Sequence, residues 1–221
     1  VARRALTTTA AVFATTAALL LTACGGGGDS SDDIEGADQG ASSPSASASR
    51  STPTDVDRPD VRLPDDLDLV FDFEKPSDQD SAAALEDAAN YIRALNHGIT
   101  KQDPADPAFQ FYSSGQAAQY ANSQIKEYVD GGWTLTGKDR YYQAEINPVD
   151  ESEKVKTVNV TFCEDQSKVY GKEVKSEKIH RTKESLDSYQ KFTILMASVQ
   201  GKPVWRAQQV TVEGKAQECR G

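Results

Sequence analysis

The spacing of hydrophobic residues changes several times along this chain, and the changes divide it. Residues 5–21 are about 17 apolar or neutral positions without a charge. Over residues 25–54 large apolar side chains nearly vanish, Ile34 being the one large aliphatic residue. They return at alternate positions as Val61, Leu63, Leu67, Leu69, Phe71 and Phe73. A period of two predicts a strand or an extended arm over 67–73, and Pro59 and Pro64 favour an edge or pre-strand place for their surroundings.

The period then becomes helical. Leu85, Ala88, Ala89, Ile92, Leu95 and Ile99 recur at spacings of three and four, which predicts a helix over 81–99 capped by Asp80 or Ser81. After the turn signals Asp103-Pro104 and Asp106-Pro107, the residues Phe109, Phe111 and Tyr112 predict a short helical turn. A second long helix is expected from Ser113 or Ser114 to Gly131-Gly132, where the paired glycines permit a left-handed C-cap. Beyond Gly132 the pattern predicts strands at 133–136, 139–149, 153–162, 189–199 and 204–212, with turns at 150–152 and 200–203. Val158, Val160 and Phe162 alternate most clearly, and the polar stretch 174–188 reads as a solvated strand pair or a loop. Helices followed by strands imply an α+β domain, its N-terminal helices packed on one face of a curved antiparallel sheet. The domain is expected over 60–221, with a core at 80–219; the alternative start is residue 80.

Composition narrows the partners. A net charge of -10 with no basic block argues against nucleic acid and gives no attraction to anionic lipid. Membrane attachment therefore needs another device, and the N-terminus offers one. Arg3 and Arg4, the apolar run and Leu21-Thr22-Ala23-Cys24 follow the order of an export signal, and the run is too short and too rich in Ala and Thr for a comfortable span. The flanks of Arg3-Arg4 lack the rest of a twin-arginine pattern. This segment resembles the precursor of a bacterial lipoprotein. The resemblance implies a signal peptide over 1–23, with Leu21, Thr22 and Ala23 as the signal-peptidase box. It also implies that Cys24 carries a diacylglyceryl thioether and an N-acyl group such as palmitate, which would hold the chain on the outer face of the cytoplasmic membrane. Residues 24–59, rich in Gly, Ser, Pro and Asp, then form a disordered tether with a mean span of about 30 Å.

The helix-helix-sheet order, the junction from Tyr128 to Trp133 and the segment Cys163-x-Asp165-x-Ser167 resemble actinobacterial lipoproteins that carry a nuclear transport factor 2-like (SnoaL-like) domain. That resemblance implies a cone-shaped sheet. With Cys24 lipidated, Cys163 and Cys219 remain as a disulfide pair in an exported compartment.

Catalytic signatures are absent from the sequence. The two histidines, His97 and His180, lie in no ligand-spaced pair, and no metal or cofactor motif is present. Asp139, Glu145, Asp150 and Asp165 are the carboxylates available for acid-base work. A pocket is expected among Tyr120, Trp133, Tyr141, Asp165, Phe192 and Trp205, with core packing explaining most of the aromatics. The resulting expectation is a non-catalytic envelope module that binds a small molecule or an envelope protein, without a cofactor or metal. An enzyme using a pocket carboxylate is the alternative. A homodimer through an open sheet face is plausible for this fold class.

Overall fold

A computed structural model describes residues 56–220 apart from Glu153, Gln200 and Gly201. The signal-peptidase box, Cys24, residues 25–55 and the first half of the 200–203 turn lie outside the described residues. The element order is β1 (Leu67–Asp72), α1 (Gln79–Lys101), α2 (Pro107–Tyr112), α3 (Gly115–Gly131), β2 (Trp133–Ile146), β3 (Asp150–Glu151), β4 (Val155–Glu173), β5 (Ile179–His180), β6 (Tyr189–Val199) and β7 (Arg206–Gly214). This is a mixed α+β fold with helices flanking a largely antiparallel sheet. Among the described residues no helix is long and apolar enough to cross a membrane.

The main sheet runs β1-β2-β4-β6-β7, with β3 and β5 pairing on β4. The pattern at 67–73 becomes a true edge strand, and it runs parallel to β2, unlike the antiparallel sheet expected. Leu67 enters it through a turn closed by its N–H to Pro64 O at 3.0 Å. The backbone N–H of Gly137 on β2 reaches Asp66 O at 2.7 Å. Gly137 has φ +107, and a Cβ there would sit 2.1 Å from Lys168 O, so only glycine fits.

Helix α1 begins two residues before its expected start. Its cap is Asp78, which accepts the Ser81 N–H at 2.8 Å. Its apolar stripe packs on the sheet face made by Val158, Val160, Phe162, Phe192, Ile194 and Met196. Asp87 is buried on α1, where it accepts the Trp205 N–H at 2.9 Å and pairs with Arg58 of the N-terminal arm. Helix α3 ends at Gly132, whose φ of +71 makes the left-handed cap.

Two strand ends differ from expectation. Residues 133–146 form one bent strand, with register shifts between Lys138/Arg140 and Tyr142/Glu145. β4 continues through Cys163 to Glu173, so Cys163 and Asp165 sit within a strand rather than at its end. Residues 150–151, read as turn, pair with β4, and 174–188 holds only β5 and a single helical turn at Leu186–Ser188. On the outer sheet face Tyr142, Cys163, Tyr189, Ala216 and Cys219 form a second small core, and Cys163 and Cys219, 56 residues apart, are joined by a disulfide.

Candidate functional site

The inner face of β4 changes character along its length. Val158, Val160 and Phe162 are dry core, and the same alternation continues with Glu164 and then Gln166. Register carries this change across the sheet. Tyr141 on β2 lies opposite Glu164 on β4, which lies opposite Gln190 on β6. Phe71 on β1 completes the row, paired with Tyr141. Asp139 shares the inner face two residues before Tyr141, at the register shift that bends β2.

A cavity of about 120 Å³ lies between this part of the sheet and the helices. Its floor is Leu135, Asp139 and Tyr141 from β2, Glu164 and Gln166 from β4, and Gln190 and Phe192 from β6. Its roof comes from Ile92, Leu95 and Ile99 on α1 and from Tyr120, Gln124 and Tyr128 on α3, the last three each one turn apart. Gln124, Gln166 and Gln190 are half-buried, while Asp139 and Glu164 are 5% and 7% exposed.

The Tyr141 hydroxyl joins the two carboxyls. Its Oη lies 2.7 Å from Asp139 Oδ2 and 3.0 Å from Glu164 Oε1. One hydroxyl carries one proton, so it donates to one carboxyl at a time. Both contacts are hydrogen bonds together only if one carboxyl is protonated and donates to Oη. Glu164, lifted well above the usual carboxyl range by burial and the Asp139 charge, is the one that keeps a proton. The chain is then Glu164 carboxylic acid to Tyr141 hydroxyl to Asp139 carboxylate. Burial raises Asp139 from the ordinary aspartate range to about 6, opposed by hydrogen bonds from Tyr141, Glu164 and the Arg140 backbone. The Tyr141 ring is fixed by stacking on Phe71 at 4.7 Å and by an edge contact with Phe162 at 5.8 Å.

Asp139 Oδ1 has no hydrogen-bond partner, although Asp139 is buried and borders the cavity. Such an orphan acceptor costs on the order of 1–3 kcal/mol when left unmet. It is the group in this site with an unfilled chemical demand.

The expected pocket residues divide. Tyr120, Tyr141 and Phe192 border the cavity together with the carboxylate candidate Asp139. Trp133, Asp165 and Trp205 do not. The Trp133 indole lies against Gly131 and Gly171 and edge-on to His180. Asp165 is on the outer face, because it follows Glu164 by one residue in a strand, and it accepts the Ser167 N–H at 2.9 Å. Trp205 is buried just before β7, in the core below α1. Glu145 borders an outer groove beside Cys163, and Asp150 is exposed on β3. Both histidines answer carboxylates elsewhere, His97 at 2.8 Å from Asp106 and His180 at 2.6 Å from Glu173. Among the described residues no group of three or more His, Cys, Asp or Glu side chains is placed to hold a metal ion.

Neither a known family pattern nor a curated protein matches the chain. Among solved structures it is similar to the intermembrane space region of the chloroplast protein ARC6. The identity is 12% and the TM-score 0.39, over 62% of this chain and 98% of that one. It is also similar to a protein named for ketosteroid isomerase from Shewanella frigidimarina. There the identity is 11% and the TM-score 0.28, over 59% and 94% of the two chains. These are distant likenesses of layout and carry nothing about ligand or chemistry.

Proposed function

We propose that this chain is a lipid-anchored envelope protein whose cone-shaped domain, similar to nuclear transport factor 2, moves a proton on a small molecule held over Asp139. The observation that carries the reading is the unpartnered Oδ1 of a buried aspartate at the cavity wall. A base works best when its proton affinity lies near the ambient pH, and burial brings Asp139 to about 6. In the step, an X–H bond of the ligand breaks, its electron pair stays on X, and the proton joins Oδ1. Glu164 keeps its own proton, and the Tyr141 hydroxyl holds Oδ2, so Asp139 presents one oxygen in one orientation. The anchor half of the proposal rests on the box Leu21-Thr22-Ala23-Cys24.

Exchange of solvent deuterium into small carbon acids tests the chemistry. Acetone, hydroxyacetone and aminoacetone are incubated with the full chain in heavy water and followed by NMR. Exchange above the buffer rate, falling about a hundredfold or more in Asp139→Asn, is the expected result. No acceleration of any of the three by the wild type would overturn the reading. A second reading, a binding module without turnover, is favoured by one observation: among the described residues no histidine, lysine or cysteine borders the cavity to return a proton.

A further inference from the structure

We propose that the cavity takes a small organic cation, a primary ammonium or amidinium group of roughly six heavy atoms. This rests on the reading of the Asp139 cavity as the ligand site and names what that site selects.

Charge is the first argument. Among the described residues no lysine, arginine or histidine borders the cavity, whereas Asp139 and Glu164 both do. With Glu164 protonated, the pair carries one negative charge in a setting that screens it poorly. An anion entering would meet that charge with no compensation. Hydrogen-bond polarity is the second argument. The Tyr141 proton goes to Asp139 Oδ2, and the one Glu164 proton is shared between Tyr141 Oη and the Asp139 carboxylate. What the acid pair leaves open is an acceptor, Asp139 Oδ1. It requires a donor, and a ligand that turned a carbonyl oxygen towards it would set acceptor against acceptor. An N–H of a cation satisfies both the bond and the charge.

The walls suit the rest of such an ion. Tyr120, Tyr128, Tyr141 and Phe192 offer ring surface to a cation, and Ile92 and Leu95 offer apolar surface to its carbon skeleton. Size limits the skeleton. A volume of about 120 Å³ is somewhat below that of an apolar cavity able to hold benzene, roughly 150 Å³.

Every element packed on Asp139 bears on its titration. Facing it or acting on it are Tyr141 and the Arg140 N–H on β2, Glu164 and Asp165 on β4, and Tyr128 on α3. Among the lining residues of α1, Asn96 is the polar one, and its amide is held by Ile92 O at 3.1 Å. The net effect is a raised proton affinity, so the charge is present above about pH 6 and lost below it.

Calorimetry on the full chain, with cyclopentylammonium, cyclopentanol and cyclopentanecarboxylate as probes of matched shape, tests the inference. The ammonium should bind at least about tenfold more tightly than the alcohol, and the carboxylate should give no heat of binding. Asp139→Asn should remove the preference. Wild-type affinity for the ammonium should fall as the pH drops through about 6; this arm needs no variant. Equal binding of alcohol and ammonium, or ammonium binding indifferent to pH between 5 and 8, overturns the ligand class. Ammonium binding without deuterium exchange would defeat the proton-transfer reading and leave the ligand class standing. Exchange into acetone with no preference for ammonium would do the reverse.

Discussion

One proton on Tyr141 and two carboxyl neighbours force an unequal division of charge, and that division has a cost in stability. A carboxyl whose proton affinity is higher in the folded than in the unfolded chain makes the folded form bind more protons over the interval between the two values. For Asp139 that interval runs from about 4, the ordinary aspartate value, to about 6. The folded state is favoured most below it and loses ground as the pH rises through it. Asp139→Asn removes the charge and keeps an oxygen for the Tyr141 hydroxyl. The variant should therefore be more stable than wild type at pH 7–8, by on the order of 1–2 kcal/mol in urea unfolding, with the gain shrinking towards pH 4. A loss of stability at neutral pH would mean that the Asp139 carboxylate is already fully partnered and that Oδ1 is not an orphan. The role proposed for this residue would oppose stability, as is common for a charge held in a dry site.

At the scale of elements, the helices were legible because both long ones show an unbroken apolar stripe, and α3 ends at the paired glycines on a left-handed Gly132 cap; α1 runs two residues past its expected end, to a left-handed cap at Gln102 that no glycine announces. β4 was half legible. Its alternation Val158, Val160, Phe162 was plain, but the next inward positions are Glu164 and Gln166, and polar residues in a row read as the start of a loop. One more step of the same period would have reached Glu164. The strand persists there because β2 and β6 pair with it on both sides, a fact of partners rather than of local pattern. The same ending displaced Asp165 into the expected pocket, when its parity sends it to the outer face. Tyr120, Tyr141 and Phe192 were found because an aromatic at a helix-sheet junction lies inside wherever the strand ends. The direction of β1 left no trace in alternation, since side chains alternate alike in parallel and antiparallel strands. Its position follows from Asp66 and Gly137, the pair that starts the parallel ladder.

For the whole molecule, one disulfide sets how the C-terminal tail is held. Cys163 and Cys219 fasten the C-terminal tail across the outer sheet face, beside Tyr142 and Tyr189, and leave the inner face to the helices and the cavity. A cross-link closing so long a loop stabilises by about 4 kcal/mol in the chain-entropy account. Cys24 has no part in that pairing, so the proposed anchor makes no competing demand on the disulfide. Two or more acyl chains hold firmly where one binds only reversibly. Cys24→Ser should release the protein into the medium or leave it as uncleaved precursor, as read by fractionation and mass; unchanged processing and membrane retention would contradict the anchor.

The account stands on the protonation of one buried pair. Carbon-13 carboxyl shifts of Asp139 and Glu164, followed from pH 3 to pH 9 in the disulfide-bonded protein, test it most directly. The account predicts that Asp139 ionises near pH 6 while Glu164 stays protonated well beyond that point. Two carboxyls that both ionise near pH 4, in the ordinary range, would contradict it.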